Sequence, residues 1–259
     1  MRRSLTDNVI TLKSPAQIAN LRSANRIVAE VLATLREAAA PGMSTMDLEN
    51  VAMDVCRKYK VRPAFLGLYG FPRSLCISIN EEIVHGIPST KRILKEGDLV
   101  SVDYGVVYEG MYGDAAISFG IGRMDPETER LMKVTEESLY RGIEQAREGN
   151  RLPAISRAVQ QHVEDAGFSV IRDFVGHGVG VAPHEPPQIP NYVGRATPNT
   201  RLRVGMTMAL EPMVSTGHWA IVVLDDGWTA VTKDGSLAAH FEHSIVITND
   251  GPEILSVLG

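Results

Sequence analysis

Asp103 and Asp114 lie on either side of Glu109-Gly110, a hairpin signal between two strand-like runs, Asp98–Val107 and Met111–Gly120. In a hairpin closed by a two-residue turn, same-face partners have positions that sum to one odd number. Asp103 is therefore expected opposite Ala116, and Gly105 opposite Asp114, with both carboxylates on one face as diagonal neighbours. Two ionised carboxylates that close, in partly buried surroundings, need a cation or a shared proton. On the hairpin alone, two solvated surface aspartates remain the alternative. Glu211, in Thr-Met-Ala-Leu-Glu-Pro-Met-Val, and Glu242, in His-Phe-Glu-His-Ser-Ile-Val-Ile, each interrupt an apolar strand-like run. Alternation assigns Glu211 to the face of Thr207 and Ala209, and Glu242 to the face of His240 and Ser244. A glutamate inside an apolar strand is seldom left unpaired.

Histidines add nitrogen donors. His177 stands in Gly-His-Gly-Val-Gly, whose glycines let the backbone pass close to something; His184 follows, and His85 stands at a turn after a strand. Each is weak evidence singly, and His218 and His243 read equally well as bystanders. Four carboxylates with one or two imidazoles and no thiolate do not look like a structural zinc site. They suit two divalent transition ions (Mn, Fe, Co or Zn) bridged by carboxylates. Ions ~3.5–4 Å apart can share a water and lower its pKa, giving a bridging hydroxide at neutral pH. The reaction class that follows is hydrolysis of an amide or ester.

The elements that must carry these residues are legible in outline. Ser14 can cap a first helix with Pro15 at its first position, and Ile18, Leu21, Ile27, Val28, Val31, Leu32 and Leu35 recur at helical spacing. A second helix follows Ser44, with Leu48, Val51, Ala52, Val55 and Cys56 on one stripe, so Cys56 reads as core packing. Ser74–Asn80 reads as a strand. Asp125-Pro126 opens a third helix that runs toward Gly149, and Pro153 opens a fourth that Gly167 closes. His162 falls on the apolar face of the fourth helix and reads as a satisfied core histidine. Gly205–Ser215, Trp219–Leu224 and Ala239–Thr248 read as strands. The order helix, helix, strands occurs twice, which points to one α+β domain of two pseudo-symmetric halves around one antiparallel sheet.

Composition narrows the class. The 259 residues are 44% hydrophobic and 22% charged, an ordinary globular balance, with no apolar run long enough for a membrane span. A net charge of -5 with no basic block argues against nonspecific nucleic-acid binding. Cys56 and Cys76 cannot make a disulfide framework and read as reduced cytoplasmic thiols. MRRSLTDN has no apolar stretch behind its arginines, so no signal peptide is expected there.

The strings SLCISINEEIVHGIP, SVDYGVVYEGMYGDAA, GHGVGVAPHEPPQIPNY, GMTMALEPMV and DDGWTAVTKDGSLAAHFEHSIVIT occur in this order. Together they resemble type I methionine aminopeptidases of the bacterial form, from about Ser14 to about Pro252. The resemblance implies the pita-bread fold, with residues 1–13 a short N-terminal extension and 14–259 one catalytic domain. It implies metal ligation by Asp103, Asp114, His177, Glu211 and Glu242, with Asp114 and Glu242 bridging two ions, Asp103 completing one, and His177 and Glu211 the other. The implied substrate is a nascent polypeptide with an N-terminal methionine and a small second residue. The metals and His184 would stabilise the oxyanion, Glu211 would shuttle a proton to the leaving amine, and His85 would position the peptide nitrogen near the scissile bond. Phe65, Leu68, Phe71, Cys76 and Trp228 would line the methionine pocket.

Departures from the commonest pattern cluster around that pocket. Phe65 stands where many members have cysteine, Leu68 and Phe71 where many have tyrosine, and Pro183 where many have phenylalanine. Gly105 replaces a frequent hydroxyl residue and His240 a frequent glutamine, while no implied ligand departs. Two rivals remain: a proline-directed (Xaa-Pro) peptidase of the same fold, for whose usual extra N-terminal domain the pattern leaves no space, and a silent binding module that has lost its ligands. The further expectations are a cytoplasmic monomer, a transient encounter with the ribosome, and neither a specific nucleic acid nor a membrane as partner.

Overall fold

The computed structural model describes residues 9–258; the N-terminal octapeptide read above as lacking signal-peptide character lies outside the described residues. Four helices are present: α1 (Pro15–Ala38), α2 (Thr45–Tyr59), α3 (Pro126–Glu144) and α4 (Leu152–Asp165). The first two begin on capping boxes, Ser14 with Gln17 and Ser44 with Asp47, each satisfying amides that have no partner within the helix. Asp125 caps α3 by accepting from the Glu127 amide, and α3 stops at Glu144, short of Gly149. His162 on α4 is half-buried, and its Nε2 is satisfied by Glu137 Oε2 at 3.1 Å rather than by enclosure in the core. Among the described residues, no helix is long and apolar enough to cross a membrane.

In chain order the strands are β1 (Arg62–Pro63), β2 (Leu75–Ile79), β3 (Glu82–Val84), β4 (Leu99–Tyr108), β5 (Met111–Gly120), β6 (Ser169–Val170), β7 (Gly176–Gly178), β8 (Glu185–Ile189), β9 (Thr207–Leu210), β10 (Met213–Ser215), β11 (Ile221–Val223), β12 (Ala230–Thr232), β13 (Ala238–His240), β14 (Glu242–Thr248) and β15 (Gly251–Ile254). A nine-stranded sheet runs β1-β4-β5-β14-β9-β7-β8, with β2 on β4 and β15 on β14. Every pairing in it is antiparallel. Two three-stranded sheets, β13-β10-β6 and β11-β12-β3, accompany it, where the sequence reading expected a single sheet. Their strands are only two or three residues long, too short to show a period.

The hairpin has the expected register, with Asp103 opposite Ala116 and Gly105 opposite Asp114. Val100, Val102, Tyr104 and Val106 of β4, with Ala115 and Phe119 of β5, pack beneath α1 and α2. Period two therefore sends Asp103 and Asp114 to the opposite face, away from the helices. The second half repeats the plan: Leu139 and Ile143 of α3 and Ile155 of α4 pack on Met208, Leu210, Ile245 and Ile247 of β9 and β14. Helices thus cover one face of each half and leave the other face free for the acidic side chains.

Two of the expected strands are broken, and the breaks matter. Gly205–Ser215 divides into β9 and β10 around Glu211-Pro212, and Ala239–Thr248 divides into β13 and β14 at Phe241. At both breaks the chain leaves one sheet for another. Glu211 therefore lies outside any strand, and His240 and Glu242 belong to different strands. The alternation argument for their faces does not apply, because a period of two requires a continuous ladder. Pro212 has no amide hydrogen to donate to a ladder, which accounts locally for the first break.

Candidate metal centre

The twelve side chains expected as metal ligands, catalytic groups or pocket walls all line one cavity of about 300 Å³. Its acidic end holds Asp103 on β4, Asp114 on β5, Glu211 at the β9–β10 break, Glu242 at the start of β14 and His177 on β7. Ligand atoms of Asp114, His177 and Glu242 lie within 4.8 Å of one another. His177 Nε2 stands 3.3 Å from Glu211 Oε1, which joins Glu211 to the group. The other end is an apolar cluster in which Phe65, Phe71 and Cys76 are buried and Leu68 and Trp228 pack against them. Phe71 and Trp228 meet edge to face at 5.2 Å.

Backbone contacts fix the acidic end. The Asp114 amide donates to Asn25 Oδ1 of α1 at 3.2 Å, and the Asp114 carbonyl accepts from Ser244 Oγ at 2.7 Å. Asn191 Nδ2 donates to the Glu211 carbonyl at 2.9 Å. His177 Nδ1 donates to the Gly178 carbonyl at 3.0 Å, which leaves Nε2 free to face the carboxylates. The glycines on either side of His177 do admit a close approach, but to the chain's own backbone. A Cβ at Gly176 would come 2.5 Å from the Ala209 carbonyl oxygen, and one at Gly178 would come 2.4 Å from that of Pro186.

Burial holds the Asp103 carboxyl above its ordinary range. Burial, reinforced by the neighbouring carboxylates, pushes Asp114, Glu211 and Glu242 well above theirs. Burial pushes His177 down to about 3, so its imidazole is neutral and able to ligate. Asp103 Oδ1, Asp114 Oδ1 and Glu242 Oε1 are buried without hydrogen-bond partners. Converging orphan oxygens beside a neutral imidazole are the donor set a divalent cation satisfies. Such a cation must displace protons from these carboxyls. Uptake is therefore expected to release protons and to tighten as pH rises through the neutral range. Calorimetric titration in two buffers of different ionisation enthalpy measures both effects, and uptake that weakens with rising pH would contradict them.

The family model for metallopeptidase family M24 matches residues 19–249. The chain belongs to metallopeptidase family M24. Among its M24 relatives, a methionine aminopeptidase of Clostridium acetobutylicum is 48% identical over 249 residues, covering 96% of this chain and 99% of that protein. The crystal structure of a methionine aminopeptidase from Thermotoga maritima superposes with a TM-score of 0.94 at 48% identity, over 96% of this chain and 100% of that one. A prolidase from Pyrococcus horikoshii shares the fold at 21% identity and a TM-score of 0.78, with 64% of its own chain covered. The fold is the pita-bread fold of M24, and the acidic cluster is a candidate site for the divalent metal that the family binds.

Three further lining residues, Tyr69, Phe174 and Val175, escaped the sequence reading. Tyr69 is exposed, has φ 52°, and stacks on His184 with ring centroids 5.7 Å apart. Its hydroxyl lies 3.3 Å from His184 Nδ1. Phe174 meets His85 edge to face at 5.4 Å. Burial pushes His85 down to about 4, and His240, buried with Nε2 3.8 Å from Glu211 Oε2, down to about 3. Both imidazoles are therefore neutral at physiological pH.

Gly105 explains one departure by contact. A Cβ there would meet Phe65 Cε1 at 2.9 Å, Ala64 Cβ at 3.0 Å and the Gly113 carbonyl oxygen at 3.1 Å. The large ring at position 65 occupies the room that a side chain at 105 would need. Gly105→Ala is expected to cost about 1–3 kcal/mol by overpacking. Combining it with Phe65→Ala should recover part of that loss. Thermal melts of the two single variants and the double variant measure the coupling, and additive losses would refute it.

Proposed function

We propose that the protein is a metal-dependent aminopeptidase that removes the initiator methionine from nascent polypeptides, preferring a small second residue. One observation carries the reading: an acidic cluster suited to divalent ions and an apolar cluster share a single cavity. The names of the relatives matched along nearly their whole length support it.

Two ions would be held by the five candidate ligands Asp103, Asp114, His177, Glu211 and Glu242, which line the cavity together. When bound, they supply Lewis acidity toward the scissile carbonyl and a water acidic enough to attack it near neutral pH. The remaining steps fall to side chains. Phe65, Leu68, Phe71, Cys76 and Trp228 enclose the methionine and exclude water; the thioether asks for little hydrogen bonding. The Cys76 thiol is held well above its ordinary pKa by burial and by nearby carboxylates, so it packs against substrate as a neutral, unreactive group. His184, neutral and at the cavity mouth, donates from Nε2 to the carbonyl oxygen as charge develops there. His85, held between Phe174 and Trp228, faces the peptide nitrogen beside the scissile bond. Glu211, whose burial raises its proton affinity, takes a proton from the attacking water and returns it to the leaving amine. Since this substrate emerges at the ribosome, the same proposal places the protein in the cytoplasm as a monomer that meets ribosomes transiently.

Peptide hydrolysis tests the reading. The metal-stripped protein is given Met-Ala-Ser and Xaa-Pro-Ala peptides, then Mn, Fe, Co or Zn one at a time. Metal-dependent release of methionine from the first peptide alone is the expected result, and it ranks the metals. Cleavage of the proline peptides instead would move the protein to the proline-directed peptidases. Silence with every metal would overturn the enzymatic assignment.

A further inference from the structure

We propose that Lys13 and Glu185 form a buried clasp that holds the 179–185 loop in shape, which makes Lys13 a positioning residue for His184. Lys13 Nζ lies 2.5 Å from Glu185 Oε2, with the two side chains 1% and 10% exposed. The two residues are 172 positions apart. The lysine also donates to the Thr11 carbonyl at 3.1 Å, and its own amide donates to the Gly205 carbonyl at 2.8 Å, just before β9. Lys13 is thereby tied to the body of the protein before its ammonium reaches the loop.

The other carboxylate oxygen organises the loop itself. Glu185 Oε1 accepts from the Val181 amide at 2.6 Å and from the Ala182 amide at 3.1 Å. One carboxylate thus ties together the ends of the 181–185 segment, and His184 is the residue next to it. The loop has made room for the lysine: a Cβ at Gly180 would come 2.1 Å from Lys13 Cε and 3.0 Å from Nζ. The Gly180 carbonyl in turn accepts from the Tyr112 amide at 2.7 Å, two residues before Asp114. The clasp therefore lies between the metal-ligand hairpin and the His184 loop, while Tyr69 stacks on the His184 ring.

A buried ion pair contributes little net stability compared with an apolar pair of the same shape, because both charges are desolvated. Its geometric content is larger: a carboxylate satisfied by two amides and one ammonium admits few alternative loop shapes. Breaking one partner leaves a buried charge uncompensated, whereas neutralising both does not. The catalytic consequence rests on the reading of His184 as the donor to the substrate carbonyl.

The test uses Lys13→Met, which keeps the stem, Glu185→Gln, which can still accept the two amide bonds, and the double variant. In each single variant, kcat on Met-Ala-Ser should fall about tenfold or more, as expected of a displaced group, with KM and metal content near parental values. Amide exchange at Val181, Ala182 and His184 should quicken while the β4–β5 amides stay protected. The double variant should recover part of both losses. Parental kcat and parental loop exchange in the single variants would overturn the clasp. Faster exchange with parental kcat would overturn its link to His184, and losses that follow global unfolding would reduce the pair to ordinary structure. If the parent protein releases no methionine, the functional reading fails by itself, and the exchange rates alone decide the clasp.

Discussion

Glu242→Gln is expected to make the metal-free protein more stable and its activity negligible. Glu242 is 2% exposed, and its carboxyl is raised by burial and by Asp114, Glu211 and Asp103. Without a cation, this group must either carry a charge among like charges or hold a proton that its ordinary pKa would release near neutral pH, and both cost free energy. The neutral amide removes that cost while keeping the shape. A gain of about 1 kcal/mol raises the melting temperature of a chain this size by roughly 2–4 °C. Metal-dependent methionine release should fall on the order of 10³-fold or more, about 4 kcal/mol of barrier. Melts of the metal-stripped proteins, paired with metal content and turnover, check both halves. A variant that melts lower without metal, or that keeps its turnover, would show that Glu242 is an ordinary structural residue.

The second large effect is expected at His184. Its side chain is at the cavity mouth, 4.5 Å from His177 between ring centroids, and stacked on Tyr69. Burial lowers its pKa, which keeps the imidazole neutral, and the Tyr69 hydroxyl 3.3 Å from Nδ1 occupies that ring nitrogen and leaves Nε2 for the substrate. A neutral N–H donor aimed at a carbonyl that gains charge acts mainly on the transition state. His184→Ala should therefore lower kcat by about 10²–10³-fold, or roughly 3–4 kcal/mol, with little change in KM. Metal content should stay parental, since the four carboxylates and His177 are untouched. A raised KM with normal kcat would instead make His184 a ground-state binding group, and loss of metal would make it a ligand. Steady-state kinetics with metal analysis on one preparation separates the three outcomes.

The hairpin was the most legible part of the site. Its two-residue turn and its alternation define one register, and that register carries Asp103 and Asp114 to one face without any tertiary information. Glu211 and Glu242 were legible as misplaced charges in apolar runs, but their setting was not. Strand continuity was assumed through Pro212 and Phe241, where the chain in fact changes sheets. The proline was a usable warning; nothing local marks Phe241. Phe174 and Val175 immediately precede Gly176-His177, so adjacency to a candidate ligand could have pointed to them. Tyr69 stands next to Leu68, so the same adjacency argument reaches it, but its stacking on His184 comes only through the fold that brings the two together. The pocket residues Phe65, Leu68, Phe71, Cys76 and Trp228 were named by resemblance, since an apolar residue in a pocket and one in a core look alike in sequence.

The way the large sheet joins its halves has a consequence for how the molecule comes apart. Between β5 of the first half and β14 of the second, the ladder register spans only Glu242↔Ala116 and His243↔Ala115. Asp103 and Asp114 come from one side of that short join, and His177, Glu211 and Glu242 from the other. An ion held across it would also be a cross-link, fastening two lobes whose shared backbone pairing there is slight. A chelator would then do more than empty a site: it would unpin the seam between the lobes. Metal supply would set how long the folded molecule survives as well as how fast it works.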